Sequence, residues 1–450
     1  MLNKFTRYSR AAAAACMLGY SGALLADDAE AVQQRLQQLE QQMLRAQQAH
    51  EQEIKSLRAR ISAMEGAAQQ AQSAPAPVHT ATPPGHTPIQ VGLSSLFTAG
   101  GSSVDNAALE GLQAGAHDPN RNGFTVQNVE LTLGGTVDPY FDAQASLILQ
   151  IDAGGATKVE LEEAFFTTRG LPAGLQVKGG QYFTEFGRHN PQHPHSWAFV
   201  DQPLVLSRLF GGDGLRSQGA RVAWLTPLPW YSELYAGAQN ANGETATSFL
   251  YEKDKKVGGH TLLDRSARDA GDMLYSARWL NGLDLSDTVA MNLGLSGLWG
   301  PNASGLSTGT AIHGADLYLK WQPAHSQRGF PFVAWHTELL NRRYQTDAAT
   351  LKDWGGFTQA LWGFTPGWVA GLRMEYAEAS GGAEGYDISA DALRDNRTRL
   401  SPNLTWYPTE YSKLRLQYNR DWTQHLAEKD AHALWLQMEF SLGAHAAHKF

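Results

Sequence analysis

The chain has 450 residues, a formal net charge of −8, a mean hydropathy of −0.36 and one cysteine. Its acidic balance disfavours nucleic-acid binding, and a single thiol cannot form an internal disulfide. No segment beyond the N-terminus reaches the ~20 apolar residues of a membrane-spanning helix. The 45 glycines and 10% aromatic residues, at this modest hydropathy, suit alternating β-strands instead.

Residues 1–26 have the features of a secretory signal peptide. A basic region with Lys4, Arg7 and Arg10 precedes a short apolar stretch and a small residue. Cys16 lies inside that stretch, and lipidation is disfavoured because no leucine stands at the usual place before it. The mature chain is therefore predicted to be exported and to contain no cysteine.

Residues 27–65 are predicted to form a coiled-coil helix in the periplasm, because no Gly or Pro occurs between residues 29 and 65. The apolar residues follow a 4-3-4-3 spacing with one irregular step near His50, namely Val32, Leu36, Leu39, Met43, Ala46, Ile54, Leu57, Ile61 and Met64. A lone solvated helix is the alternative, although so thin an apolar stripe is marginal by itself. Residues 66–88 form a Pro/Ala/Gln-rich linker that is predicted to be extended.

From residue 89 to residue 450 the apolar period changes to two, as in the stretch "HALWLQMEFSL" at 432–442. Sixteen candidate strands follow one another, and their connections alternate between short and long. The short connections are "VDPYF", "RGLPAG", "TPLPW", "NGLDLSD", "QPAHSQRG", "FTPGW" and "YPTEY". The long or polar ones are about 100–121, 152–157, 185–215, 242–270, 301–310, 343–350, 379–395 and 425–429. A β-sandwich gives no reason for this alternation, which is typical of an all-β, antiparallel transmembrane β-barrel in an outer membrane.

Aromatic residues gather beside the short connections and predict an aromatic girdle at that end of the barrel. They are Tyr140, Phe141, Trp230, Tyr231, Trp279, Trp321, Phe330, Phe332, Trp368, Trp406, Tyr407 and Tyr411. The chain ends on Phe450, as bacterial outer-membrane barrels commonly do, so recognition of this residue by the barrel-assembly machinery is expected.

Four segments carry a resemblance to a known family: "VELEEAFFTT", "HSWAFVDQPLV", "YSKLRLQYNRD" and the terminal "SLGAHAAHKF". They are similar to Gram-negative outer-membrane proteins related to the phosphate-selective porins O and P, and most similar to a branch described as zinc-regulated. The resemblance covers about 120–450 and implies a trimeric barrel of 16 strands whose activity is passive uptake. The leading helix also resembles the periplasmic coiled coils of some trimeric porins.

Two departures from that family concern selectivity and class. A phosphate channel needs a ladder of basic side chains along its lumen. Here the lumen-facing candidates are mixed: Lys178, Arg221, Arg373, Arg397, Arg399, Lys413 and Arg415 against Glu130, Asp142, Glu160, Glu375 and Glu439. The TonB-dependent receptor label sometimes given to the zinc-regulated branch is disfavoured, because about 360 barrel residues cannot form 22 strands and no plug domain precedes them.

The stretch "RHNPQHPHSW" places His189, His193 and His195 in the third long connection, which folds into the lumen in general porins. With Asp201 nearby, the three imidazoles form a candidate zinc site with an open fourth position. The alternative is a constriction loop whose histidines hydrogen-bond lumen water and neighbouring carboxylates. Any zinc would bind transiently, and no resident cofactor is expected.

His445 and His448 near the C-terminus are a weaker metal candidate, and an assembly tail with incidental histidines is the alternative. No enzyme is expected, because no serine follows the nucleophile-elbow pattern. Paired acids such as Glu162 and Glu163 are also predicted to point to opposite faces of a strand.

The sequence therefore predicts an outer-membrane channel of a Gram-negative bacterium that passes small hydrophilic solutes or ions, with a bias toward zinc or other divalent cations as a variant. The alternatives are a structural tether, in which the helix contacts the cell wall, and a metal receptor. The expected partners are outer-membrane lipid and further copies of the chain, with a trimer favoured, and no nucleic acid.

Overall fold

The computed structural model describes residues 89–151 and 155–443. The predictions of a signal peptide, a coiled coil and a linker lie outside the described residues, as do His445, His448 and Phe450. Within the described part, no helix is long and apolar enough to cross a membrane.

Eighteen strands and two short α-helices are present in the described residues. The barrel strands are β1 (Gln90–Ser102), β2 (Gly123–Thr136), β3 (Phe141–Ile151), β4 (Thr157–Thr168), β5 (Leu175–Phe183), β6 (Arg216–Leu225), β7 (Tyr231–Gln239), β10 (Leu274–Ser286), β11 (Val289–Pro301), β12 (Gly309–Trp321), β13 (Phe332–Gln345), β14 (Thr350–Thr365), β15 (Trp368–Ser380), β16 (Arg397–Thr409), β17 (Ser412–Thr423) and β18 (Asp430–Gly443). A small hairpin, β8 (Lys256–Val257) and β9 (His260–Thr261), lies in the connection between β7 and β10. The α-helices are α1 (Asn106–Leu112) and α2 (Leu204–Phe210), and 3-10 turns occur at Pro172–Gly174, Pro194–Ser196, Ala270–Asp272 and Ile388–Ala390.

The sixteen long strands form one closed antiparallel barrel. Each strand pairs with its neighbours in the chain, and β1 closes the barrel by pairing with β18, where Leu96 lies opposite Glu439. Closure leaves no strand edge with unpaired backbone groups. The predicted barrel of 16 strands is confirmed.

The longest connections lie at one end of the barrel and the shortest at the other, but the prediction of strict alternation is wrong. The connection 322–331, predicted to be short, is longer than its neighbours 302–308 and 346–349, because the ladder between β13 and β14 continues to Gln345 and Thr350. The shortest connections leave only 287–288, 366–367 and 410–411 between strands. In the second of these, Gly367 has a φ of 83°, which a Pro-Gly turn of type II requires at its second central residue. The long connections include 103–122, here named L1, and 184–215, here named L3.

The strands alternate between an apolar outer face and a polar inner face. On β18 the side chains of Leu434, Leu436 and Met438 are exposed, whereas Gln437 and Glu439 are buried inside the barrel. An outward apolar band with an inward polar face is the pattern of a barrel in lipid.

The aromatic girdle is confirmed for most of its members and is wrong for Phe330, Phe332 and Tyr407, of which Tyr407 packs against the cluster that the two phenylalanines form. Trp230, Trp406 and Tyr411 are exposed beside short connections, but the two phenylalanines are buried and pack on Val369. Alternation along β13 explains why Phe332 is buried, because this residue shares the inward face of the strand with Ala334 and His336.

Inside the barrel, the buried apolar residues cluster around L3. Helix α2 of this loop is buried at every position. Its apolar side chains, with Phe186 from the start of L3, pack against residues from the wall and from the connection after β7, including Phe249, Ile312, Leu340 and Phe357. L3 is therefore held in the lumen by an apolar cluster as well as by polar contacts.

Candidate functional site

L3 crosses the barrel interior and bonds to the wall opposite its own strands. The backbone N–H of Val200 donates to Gln417 Oε1 at 2.9 Å, and that of Leu204 donates to Glu375 Oε2 at 2.6 Å. Arg415 Nη2 donates to the carbonyl oxygen of Trp197 at 2.9 Å. These contacts place the segment 197–204 against strands β15 and β17.

Asp201 is the central polar anchor of L3. Its carboxylate lies 2.5 Å from Arg373 Nη2 and 3.1 Å from Arg399 Nη1, and it accepts further hydrogen bonds from Gln417 and Asn419. Burial alone would raise the pKa of Asp201, but the two guanidinium groups lower it to about 2. The anchor is therefore charged at any physiological pH.

A second carboxylate joins L1 to L3. Asp118 accepts hydrogen bonds from the backbone N–H of Gly115 at 3.0 Å and from that of Gln202 at 2.8 Å. Burial, together with the negative charge of Asp201, raises the pKa of Asp118 to about 7. Two neighbouring carboxylates with such different pKa values make this junction sensitive to pH near neutrality.

The basic residues predicted to line the lumen do so as members of ion pairs. Arg373 contacts Glu375 as well as Asp201, and the other pairs are Arg397 and Arg399 with Asp421, Lys413 with Glu439, and Lys178 and Arg221 with Glu185. Arg415 instead donates to Gln437 Oε1 at 2.9 Å. The lumen thus presents balanced charge rather than a basic ladder.

The three histidines of "RHNPQHPHSW" do not converge on one point. The ring of His189 packs on Trp197 and Phe357, with centroids 5.2 and 5.9 Å apart, and burial holds its pKa well below the usual value. The rings of His193 and His195 stack on each other at 5.6 Å and contact carboxylates instead. Asp201, which the sequence suggested as a neighbour, pairs with arginines.

Three glutamates surround His193. Its Nδ1 lies 3.0 Å from Glu130 Oε1 and 2.8 Å from Glu162 Oε2, and its Nε2 lies 2.9 Å from Glu163 Oε2. Burial would lower the pKa of His193, but the charges of Glu162 and Glu130 raise it well above its usual value. His195 adds a contact of 2.9 Å from Nδ1 to Glu130 Oε2.

The prediction that Glu162 and Glu163 point to opposite faces is wrong. The pairing of β3 with β4 shifts at this point, so that Ser146 lies opposite Glu163 while Leu147 lies opposite Leu161. The extra residue is a β-bulge, which interrupts the alternation and turns both carboxylates inward. Sequence reasoning missed these two residues because a bulge has no signature in the local apolar pattern.

Cavities lie on both sides of L3. One of about 390 Å³ near the short connections is lined by residues such as Asp142, Gln144 and Phe165. Another of about 400 Å³ near the long connections is lined by residues that include Arg208 and Arg394. A pocket beside L3 of only about 10 Å³, lined partly by Glu162 and His189, has room for about one water molecule.

No protein-family model matches the chain. It is 32% identical over 357 residues to an uncharacterized protein of Aquifex aeolicus (strain VF5), a match that covers 73% of this chain and 71% of that protein.

The anion-selective porin from Comamonas acidovorans superposes with a TM-score of 0.51 at 9% identity, covering 79% of this chain and 99% of that one. The outer membrane channel DcaP of Acinetobacter baumannii superposes with a TM-score of 0.49 at 10% identity, covering 79% and 96% of the two chains. The chain therefore belongs to the same protein family as the Aquifex aeolicus protein, and its barrel has the fold of an outer-membrane porin.

Proposed function

We propose that this protein is an outer-membrane channel through which small hydrophilic solutes or ions diffuse. The observation that carries the proposal is the course of L3, which folds inward and narrows a barrel with a polar interior. A barrel of sixteen strands leaves room for an aqueous path when loops do not fill it. An apolar outer face suits lipid, and an inward loop gives the path a size limit.

The lumen charges support weak charge selectivity rather than a preference for phosphate. Each of Arg373 and Arg399 faces Asp201 and one further carboxylate, so neither offers an unbalanced positive charge to a passing anion. Anion selectivity requires fixed positive charge that replaces the hydration shell of the ion. A more specific proposal is that the channel prefers divalent cations, and the glutamates around His193 support it.

The test is the single-channel conductance of the purified full-length chain in planar lipid bilayers. Discrete steps in KCl solution, with a reversal potential near zero in a KCl gradient, are the expected result. Folded protein that never conducts would contradict the proposal and favour the structural tether. Saturable binding of a metal ion without conductance would favour the metal receptor.

A pair of matched variants tests the role of L3. Asp201→Asn weakens charge-assisted contacts to Arg373 and Arg399, each worth about 1–3 kcal/mol, so the loop should detach more often and the conductance should become larger and noisier. Asp430→Asn removes the same charge from an exposed pair with Arg420 and should leave the conductance unchanged. Identical currents in the two variants would show that L3 does not set the conductance.

A further inference from the structure

The inner wall beside L3 carries a cluster of side chains whose donor atoms suit a cation. Glu130 projects from β2, Glu162 and Glu163 project from β4, and His193 and His195 project from L3. We call these five residues the Glu–His cluster. One donor atom each from Glu130, Glu162 and His193 lies within 4.8 Å of the other two.

The separations in this set fit the edges of a coordination polyhedron. His193 Nδ1 is 3.0 Å from Glu130 Oε1 and 2.8 Å from Glu162 Oε2. Ligand bonds of about 2.1 Å at right angles place neighbouring donor atoms about 3 Å apart. A carboxylate oxygen of Glu130 and one of Glu162 can therefore each lie next to His193 Nδ1 in one coordination shell.

The atoms that would not coordinate are held by neighbours. His193 Nε2 lies 2.9 Å from Glu163 Oε2, which can accept a hydrogen bond from Nε2–H, so that loss of the Nδ1 proton would leave the Nδ1 lone pair for the ion. The second oxygen of Glu130 is 2.9 Å from His195 Nδ1. The edge of Phe183 packs on the His193 ring at 5.5 Å. A carboxylate behind a ligating histidine is the usual second layer of a metal site, because it sets the tautomer and the orientation of the ring.

The carboxylates of the cluster are buried: Glu162 is 1% exposed, Glu130 2% and Glu163 6%. Each has close contacts with imidazoles, including the contact of 2.8 Å between Glu162 Oε2 and His193 Nδ1. An imidazole can give up its proton to a competing metal ion, and a dication would offset the desolvation cost of the buried carboxylates.

We propose that Glu130, Glu162 and His193 bind a divalent first-row transition-metal ion in the lumen, with Glu163 as the residue that positions His193. One imidazole and two carboxylates suit Zn²⁺, Co²⁺ or Mn²⁺ better than Mg²⁺, which prefers oxygen ligands alone. The three carboxylates give the site the negative charge that a dication requires. Because the ligands come from β2, β4 and L3, the ion would tie the loop to the wall.

The site can exist whether or not the barrel conducts, so its test is a binding measurement. The full-length chain, purified in detergent without an affinity tag, is titrated with Zn²⁺ by calorimetry at about pH 8, where the imidazole proton is more easily displaced. Co²⁺ serves as a second probe, because its visible absorption reports nitrogen and oxygen coordination. Mg²⁺ should not bind to the site.

Substitutions inside and outside the cluster identify the ligands. Glu162→Gln and His193→Gln should each abolish the site, and Glu163→Gln should weaken binding at least about 10-fold while the Co²⁺ spectrum keeps its shape. Glu378→Gln and His313→Gln make the same chemical changes at residues that contact Trp354, Tyr376 and Trp299, and both should bind as the unchanged protein does. A shift in gel migration on heating checks that every variant forms a barrel.

Three results would overturn the proposal. Absence of saturable Zn²⁺ binding, or binding that survives both Glu162→Gln and His193→Gln, would make the cluster a set of ion pairs only. Binding lost in His189→Gln and retained in Glu162→Gln would place the metal on the loop histidines instead. Conductance measured on the same preparations tests the channel proposal separately.

Discussion

Single buried carboxylates decide how L3 is held. Asp201 and Asp118 lie on adjacent loops, and their negative charges repel each other. Arginines stabilise chiefly the ionised form of Asp201. Burial without a sufficient compensating cation disfavours the ionised form of Asp118. Asp201 is therefore a permanent anion, whereas Asp118 titrates near neutral pH.

Asp118 gives the loop junction a pH dependence. Its pKa rises from the ordinary 3.8 to about 7 in the folded chain, so the folded state holds the proton more tightly than the unfolded state does. The stability that this proton contributes is complete below pH ~4 and is lost as the pH rises to about 7, where it levels off. We expect the heat-unfolding midpoint of the unchanged protein to fall over this range.

Asp118→Asn tests the assignment. The amide cannot ionise, so the difference in midpoint between the variant and the unchanged protein should grow in favour of the variant from pH 4 to pH 7. Asp387→Asn, in an exposed turn with Ser389, is the control and should leave the shape of the curve unchanged over this range. A variant that loses stability in parallel with the unchanged protein would contradict the role of Asp118.

At the scale of elements, one extra residue in β4 determines the chemistry of the lumen. Without the bulge, Glu162 and Glu163 would alternate and only one would face His193. With it, the imidazole has a carboxylate on either side of the ring. Bulges commonly re-aim side chains beside functional sites, and this one brings β4 and L3 into one polar cluster.

The longest and the shortest connections lie at opposite ends and predict which end of the barrel faces the cell exterior. Long connections should lie outside and short ones in the periplasm. Ser266→Cys, in the long connection after β7, should react with a membrane-impermeant maleimide on intact cells, because this residue is exposed. Ser326→Cys, exposed in the connection between β12 and β13 at the end of the barrel that has the two-residue turns, should react only after the cells are opened.

These substitutions are nearly isosteric and each gives one thiol, because the natural Cys16 lies in the predicted signal peptide. Reaction of Ser326→Cys on intact cells, without reaction of Ser266→Cys, would reverse the orientation.

At the scale of the whole molecule, the barrel closes by itself through β1 and β18 and does not need another chain to complete its sheet. Any oligomer must therefore be stabilised by something other than strand pairing. We propose that the predicted coiled coil at 27–65 has this role.

Deletion of 27–65 should convert the oligomer to monomers while the barrel stays folded, as measured by light scattering and by the heat-induced shift in gel migration. Deletion of the linker 66–88 is the matched control, and it should leave the oligomer intact because the heptad seam is kept. An oligomer that survives loss of the helix would assign that segment to a tether or a spacer.

The sequence by itself determined the number of strands, the end of the barrel at which the longest connections lie and the inward face of strands such as β18. Each of these follows from local physics. Alternation of apolar and polar residues indicates which face of a strand is apolar, and a Pro-Gly pair such as Pro366 and Gly367 favours a tight turn between two strands. The inward position of Arg373 and Arg399 could likewise be predicted from the alternation of side chains along their strands.

Only the tertiary structure decided which of these side chains meet. Asp201 is separated from its two arginines by 172 and 198 positions, and His193 from Glu130 by far more than any local pattern spans. Their contacts depend on how the barrel closes, on the bulge that re-aims Glu162, and on an apolar cluster that draws L3 inward. The physical reason is that local periodicity governs the direction of a side chain, whereas its partner is set by packing among elements distant in the chain.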